Sequence, residues 1–169
     1  MAGLVLSDAS PLIGLARIDG LAWLHHLFGQ VHIPPEVRAE VLPGLGFAEE
    51  RTLRAAESAG WLTVHAVAPP QRPLPNLPDL DEGEAACIRI ALSHVRQRGR
   101  PALLLMDERA GRAIAVEHGL RVAGTAAVIG MARSRGLIAS AREVFARLHA
   151  SDFRISAAVI ETVLRRVGE

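Results

Sequence analysis

The acidic residues of this chain have the types and spacing that could do chemistry. Asp8 follows the apolar run Leu4-Val5-Leu6, and Asp107 follows Leu103-Leu104-Leu105-Met106. Short runs that are apolar at every position read as strands buried on both faces. In open α/β sheets, functional groups gather beyond the carboxyl ends of such strands. Both aspartates are therefore expected on one edge of a sheet, close together. Neighbouring carboxylates repel unless a cation or a shared proton lies between them. For either aspartate alone, a helix N-cap after a strand is the plainer reading; taken as a pair, they point to function.

Two glutamates extend the set. Glu84 falls in line with Ile88, Ala91, Leu92 and Val95 on the apolar stripe of a helix expected from Asp81 to Gln97, whereas Glu82 falls with Arg89 and Ser93 on the polar side. An acid in the first turn of a buried face points toward the sheet edge where its helix begins. Asp81-x-x-Glu84 is equally a capping box, and the two roles can coexist. Glu40 stands three residues after Val37 and beside Val41, at the border of its helix's inner face; alone it would be an ordinary surface glutamate.

Hard carboxylate oxygens with few other ligands suit Mg²⁺ or Mn²⁺. Such ions acidify a bound water and steady a leaving oxygen in an in-line displacement. On this reading Asp8 and Asp107 are direct ligands, while Glu84 and Glu40 bind a second ion or orient metal-bound water. Arg17, Arg109 and Arg112, on the helices after the two aspartates, are the cations placed to meet substrate phosphates; plain surface charge is the simpler reading of each.

Composition removes most other chemistries. All 19 basic residues are arginine. Without lysine there is no phosphate-binding Walker loop, no Schiff base and no lysine general base. No G-x-G-x-x-G or G-x-S-x-G occurs, and the seven histidines are scattered without a zinc-binding spacing. An aspartyl phosphatase built on Asp8 would want a second Asp two residues on, where Ser10 stands. The formal charge of +1 favours neither nucleic acid nor its absence. A single cysteine, Cys87, precludes an internal disulfide and fits the cytoplasm. No stretch reads as a transmembrane helix or a secretory signal.

The elements that must position these acids follow in order. Strands are expected at Gly3 to Ser7, Val31 to Ile33, Trp61 to Val67 (near a sheet edge), Ala102 to Met106 and Arg121 to Ala123. Ser10-Pro11 reads as an N-cap with proline at the first helical position. Further helices are expected at Leu21 to Phe28, from Pro34-Pro35 through Leu42, at Ala48 to Ala59 (exposed-looking), Glu108 to His118, Thr125 to Ser134, Ser140 to His149 and Ser156 to Val167. A connector at about 68–78 holds five prolines. Neither side of it has strands enough to close a core, so residues 1–169 read as one domain. Strands separated by helices imply a parallel sheet covered on both faces.

In that frame, Val5-Leu6-Ser7-Asp8-Ala9-Ser10-Pro11-Leu12-Ile13 resembles the opening of PIN-like domains. Ile33-Pro34-Pro35-Glu36-Val37-Arg38-Ala39-Glu40-Val41 is similar to their second motif, Leu80-Asp81-Glu82-Gly83-Glu84-Ala85 to the third, and Leu104-Leu105-Met106-Asp107-Glu108-Arg109 to the fourth. Gly124-Thr125 and the segment from Phe153 fit an uncharacterised PIN-like subgroup. The resemblance spans almost the whole chain. It implies a three-layer α/β/α fold with a five-stranded, mainly parallel sheet, and Mg²⁺- or Mn²⁺-dependent cleavage of single-stranded RNA or RNA loops. It also implies a VapC-type toxin ribonuclease with a small antitoxin partner, and a homodimer.

Carried over by position, the acidic quartet is Asp8, Glu40, Glu84 and Asp107, with Ser10 supporting Asp8. Two departures stand out. Ala9 occupies a place where Thr is frequent, and Met106-Asp107-Glu108 replaces Thr-x-Asp, so a second supporting hydroxyl is missing there. Glu108 reads as a helix-start charge in preference to a ligand. The alternative function is a PIN-like scaffold that mainly binds a partner, through the helix Ala48 to Ala59 or through Val159, Val163 and Val167 in register on the last helix.

Overall fold

The computed structural model describes residues 3–65 and 75–169. Its five strands are β1 (Leu4–Ser7), β2 (Val31–Ile33), β3 (Leu62–Val64), β4 (Ala102–Leu105) and β5 (Arg121–Ala123). All pairings are parallel, in the order β3-β2-β1-β4-β5. The most apolar runs take the middle: Leu6 and Leu104 face each other in register and are both fully buried. The strand expected over Trp61 to Val67 is β3 at the sheet edge; its last two positions, and most of the connector at 68–78, lie outside the described residues.

The chain builds outward from β1 to β2 and β3, then returns to the other side of β1 for β4 and β5. The strand order therefore reverses between β1 and β4, which opens a crevice at their carboxyl ends. Asp8 and Asp107 follow those two strands. The ladder continues just past them, with the Asp8 amide donating to the Leu105 carbonyl and the Met106 amide to that of Ala123, both at 2.9 Å.

The helices are α1 (Ala9–Arg17), α2 (Ala22–Phe28), α3 (Pro35–Val41), α4 (Ala48–Ser58), α5 (Glu82–Arg98), α6 (Arg109–Glu117), α7 (Thr125–Ser134), α8 (Ala141–Ala150) and α9 (Ala157–Val167). Together with the sheet they form the α/β/α arrangement. The long α5 lies against β1 and β4, while α1 packs with α3 and α4. Among the described residues, no helix is long and apolar enough to cross a membrane.

Three expectations need correcting. The first helix starts at Ala9 with Asp8 as its N-cap, so Pro11 is the third helical residue and not the first. Amides of the first turn have no intrahelical partner, so proline costs nothing there. Helix α4 is not free on all sides, because Leu53 and Ala56 are buried where it packs on α1 and β3. The valine stripe of α9 is largely spent inside the molecule: Val163 is buried against α7 at Gly130, Val167 is partly buried, and only Val159 is exposed.

Candidate functional site

Asp8 sits where β1 turns into α1, and only 4 % of it is exposed. Its Oδ1 is buried without a hydrogen-bond partner. Burial pushes its carboxyl up to about 7; the Ala9 amide works against this, and the charges of Asp81, Glu84 and Glu40 add to it. Ser7 Oγ donates to the Asp8 carbonyl at 2.9 Å. Ser10 lies in the first turn of α1, with no hydrogen bond to the Asp8 carboxylate.

Glu84 closes a capping box and is buried as well. Its amide donates to Asp81 Oδ1 at 2.8 Å, and its Oε2 accepts from the Asp81 amide at 3.4 Å, which makes the capping box. Its Oε1 is buried and unpartnered. Burial first, then Asp81, Glu108 and Glu40, raise its carboxyl above the usual range, against the pull of the Asp81 amide. Glu40 stands more exposed at the end of α3, raised by burial and by Asp81.

Asp107 keeps different company. Its Oδ1 accepts the Thr125 amide and its Oδ2 the Thr125 hydroxyl, each at 2.7 Å. The hydroxyl missing from its own motif thus arrives from the start of α7, 18 residues on. Burial still holds Asp107 above the ordinary carboxylate range, although Thr125 and Arg112 act to lower it. The carboxylates that act on Asp8 are Asp81, Glu84 and Glu40, not Asp107. The two aspartates share the edge, but Asp107 is turned to α7.

Three glycines leave room for this cluster. A Cβ on Gly83 would lie 3.3 Å from Asp8 Oδ1 and 3.4 Å from Asp81 Oδ1. On Gly111 it would lie 3.0 Å from Glu84 Oε1, and on Gly124 2.9 Å from Asp107 Oδ1. At 3.0 Å or less, a carboxylate or its neighbour would have to move. Helices α5, α6 and α7 thus each present a side-chain-free surface to one of the acids.

The three arginines divide. Arg17 is tied by its Nε to Glu49 Oε1 at 2.7 Å and by Nη1 to the Ser151 carbonyl at 3.3 Å. Arg112 Nη1 donates to the Met106 carbonyl at 2.9 Å, beside Asp107, and Arg109 is exposed at the start of α6. Cys87 is fully buried, its Sγ donating to the Ser7 carbonyl at 3.5 Å. Burial pushes that thiol well up, which removes it from nucleophilic chemistry.

Sequence reasoning gave Asp81 only a capping role, yet its charge bears on Asp8, Glu40 and Glu84. A capping aspartate one turn before an inward glutamate was the available signal. Thr125 had a weaker one, a Gly-Thr pair after a short strand. Among the described residues, no three His, Cys, Asp or Glu side chains converge as a ready ligand set. The oxygens fit a divalent cation in kind, being hard and mutually repelling, and those of Asp8 and Glu84 are buried with one of each unpartnered.

A family model described as a PIN domain matches residues 4–169. No curated protein and no solved structure matches the chain.

Proposed function

Since the chain belongs to the PIN-domain family, a group whose members are usually nucleases and generally use divalent metals, we propose that it is a metal-dependent endoribonuclease acting at the β1–β4 crevice. The observation that carries this reading is the pair of buried oxygens without partners, Asp8 Oδ1 and Glu84 Oε1, in a cluster of like charges. Burying ionisable groups in this state is unfavourable unless something positive resolves it.

Asp8 and Glu84 would hold Mg²⁺ or Mn²⁺ through their unpartnered oxygens, with Glu40 and Asp81 adding negative charge, and Asp107 would join them as a ligand on turning an oxygen away from Thr125. The bound ion would supply an acidified water and charge for the leaving oxygen. Thr125 fixes the Asp107 carboxylate through two hydrogen bonds. The capping box holds Glu84 by one oxygen and leaves the other available. Gly83, Gly111 and Gly124 keep the crevice open to a phosphodiester. Arg112 and Arg109 stand at the edge to meet its charge, whereas Arg17 would first have to leave Glu49.

Single-stranded or structured RNA as the substrate, a small antitoxin, homodimerisation and a cytoplasmic setting are proposed on the family likeness. The test is cleavage of labelled single-stranded RNA with Mn²⁺ or Mg²⁺, with EDTA, and with Asp8→Asn. Cutting that needs metal and is lost in the variant supports the nuclease. Absence of both cutting and calorimetric metal binding sinks it and leaves a PIN-domain protein that works by binding a partner.

A further inference from the structure

The turn between α3 and α4, Pro43 to Phe47, is held from inside. The Glu50 carboxylate, 5 % exposed, accepts the amides of Gly44, Leu45, Gly46 and Phe47 at 2.9–3.2 Å. Gly44 and Gly46 take φ of +77° and +80°, the region where glycine is favoured. Burial pushes the Glu50 carboxyl up, but the four amides outweigh it and hold it below the usual range. Here Leu45 is 73 % and Phe47 57 % exposed.

Phe47 lies between two concavities. One is a cavity of about 160 Å³ with an apolar wall at Ile13, Val41 and Pro43 and charged groups at Arg17, Glu40 and Glu49, and through Glu40 it adjoins the acidic cluster. That is well under the roughly 300–1,000 Å³ of a site that engulfs a whole small ligand, and it suits one planar ring laid against Phe47. The other is lined by Arg51 and Arg54. Arg51 has no ion pair among the described residues, and Arg54 only a 3.4 Å pair with Glu50. Acid cluster, aromatic ring and cations thus follow one another across the surface, in the alternation of a nucleotide strand.

We infer that Phe47 is a base-stacking platform for the nucleotide next to the scissile phosphate, with Arg51 and Arg54 taking the phosphate beyond it. This rests on the nuclease reading and names the substrate subsite of that same centre. Single-stranded nucleic acid is favoured over a protein partner because Arg51 and Arg54 flank the ring on the side away from Glu40, where Arg17 is already held by Glu49.

The experiment measures fluorescence anisotropy of a short labelled single-stranded RNA, in the full-length Asp8→Asn chain so that the probe survives. Phe47→Ala should weaken binding roughly tenfold, as loss of one stacked base does. Phe47→Trp should retain affinity and add a tryptophan signal that RNA quenches. Arg51→Ala should reduce the dependence of log affinity on log salt by about one. Equal affinity of the Phe47→Ala and parent chains, or an added tryptophan signal in Phe47→Trp that is indifferent to RNA, overturns the platform. If the unmutated chain cuts RNA while Phe47→Ala binds it normally, the nuclease stands and the platform falls. If the parent neither binds nor cuts RNA, both fall. A Phe47→Ala chain that binds RNA normally but loses a co-purifying protein assigns the turn to a protein partner instead.

Discussion

At Asp8, covalent position and solvation pull in opposite directions. The end of a central strand places the carboxyl in the crevice, and burial there raises it from 3.8 to about 7. The folded state then keeps a proton that the unfolded chain has released. Stability from this group is therefore full below about pH 4 and is lost as pH rises through about 7. At 1.36 kcal/mol per unit, the penalty at high pH approaches ~4 kcal/mol. An asparagine carries no charge but leaves a buried amide only partly satisfied, which offsets about 1–3 kcal/mol. Asp8→Asn should thus stabilise the EDTA-treated protein by about 1–3 kcal/mol at about pH 8, and destabilise it by the amide's about 1–3 kcal/mol at about pH 4. Urea unfolding at the two values checks this; a variant less stable at the higher pH would show that Asp8 is already compensated there. The place of Asp8 at the end of β1 could be read from the sequence because strand and acid are contiguous. The sequence could not show that Thr125 serves Asp107, because that bond joins the ends of β4 and α7, set side by side only by the pairing of β4 with β5.

Elements were legible where one periodicity decided them. The strands from Leu4 and Ala102 are apolar throughout, and the long helix after Asp81 carries both its cap and its stripe, so each stands close to its expected place. What one segment's pattern could not give was the neighbour of each face. Val159, Val163 and Val167 read as a free stripe, but Gly130 on α7 makes a recess into which Val163 fits. A Cβ at Gly130 would lie 2.9 Å from Val163 Cγ1. Gly130→Leu should therefore push α9 away from α7 and destabilise the fold by about 2–3 kcal/mol through overpacking. Val159→Ser, on the exposed side of the same helix, should change it by under about 0.5 kcal/mol. Chemical denaturation of both variants tests the pair, and similar losses for the two would mean that α9 does not use this face for packing.

Over the whole molecule, two clusters titrate in opposite senses from opposite ends of α5. The carboxylates lie at its N-terminus. Toward its other end, His94 on α5, His32 on β2 and His65 after β3 influence one another, with Arg98 and Arg100 adding positive charge. The His32 and His65 rings meet edge to face at 5.5 Å, Thr63 Oγ1 lies 3.0 Å from His32 Nδ1, and His94 Nε2 is buried without a partner. Burial first, then these charges, lowers all three below 6.5. Their neutral form belongs to the folded state, so stability falls as pH drops below about 6.5. Asp8 makes it fall as pH rises from about 4 through about 7, so across the acid range the two clusters oppose each other and should flatten the pH dependence of the metal-free protein. Glu84 and His94 are about 15 Å apart along the helix, beyond a Debye length of about 8 Å, so the two ends should respond separately. A divalent ion on the carboxylates, at about 100 times its Kd, adds ~2.7 kcal/mol, or about 5–10 °C in Tm for a chain of this size. That gain needs ionised carboxylates. Calorimetry across pH should accordingly show Mn²⁺ lifting the limb near about pH 8 while leaving the limb below about pH 5 as it was. An equal shift at both ends, or none, would place the ion elsewhere than on these acids.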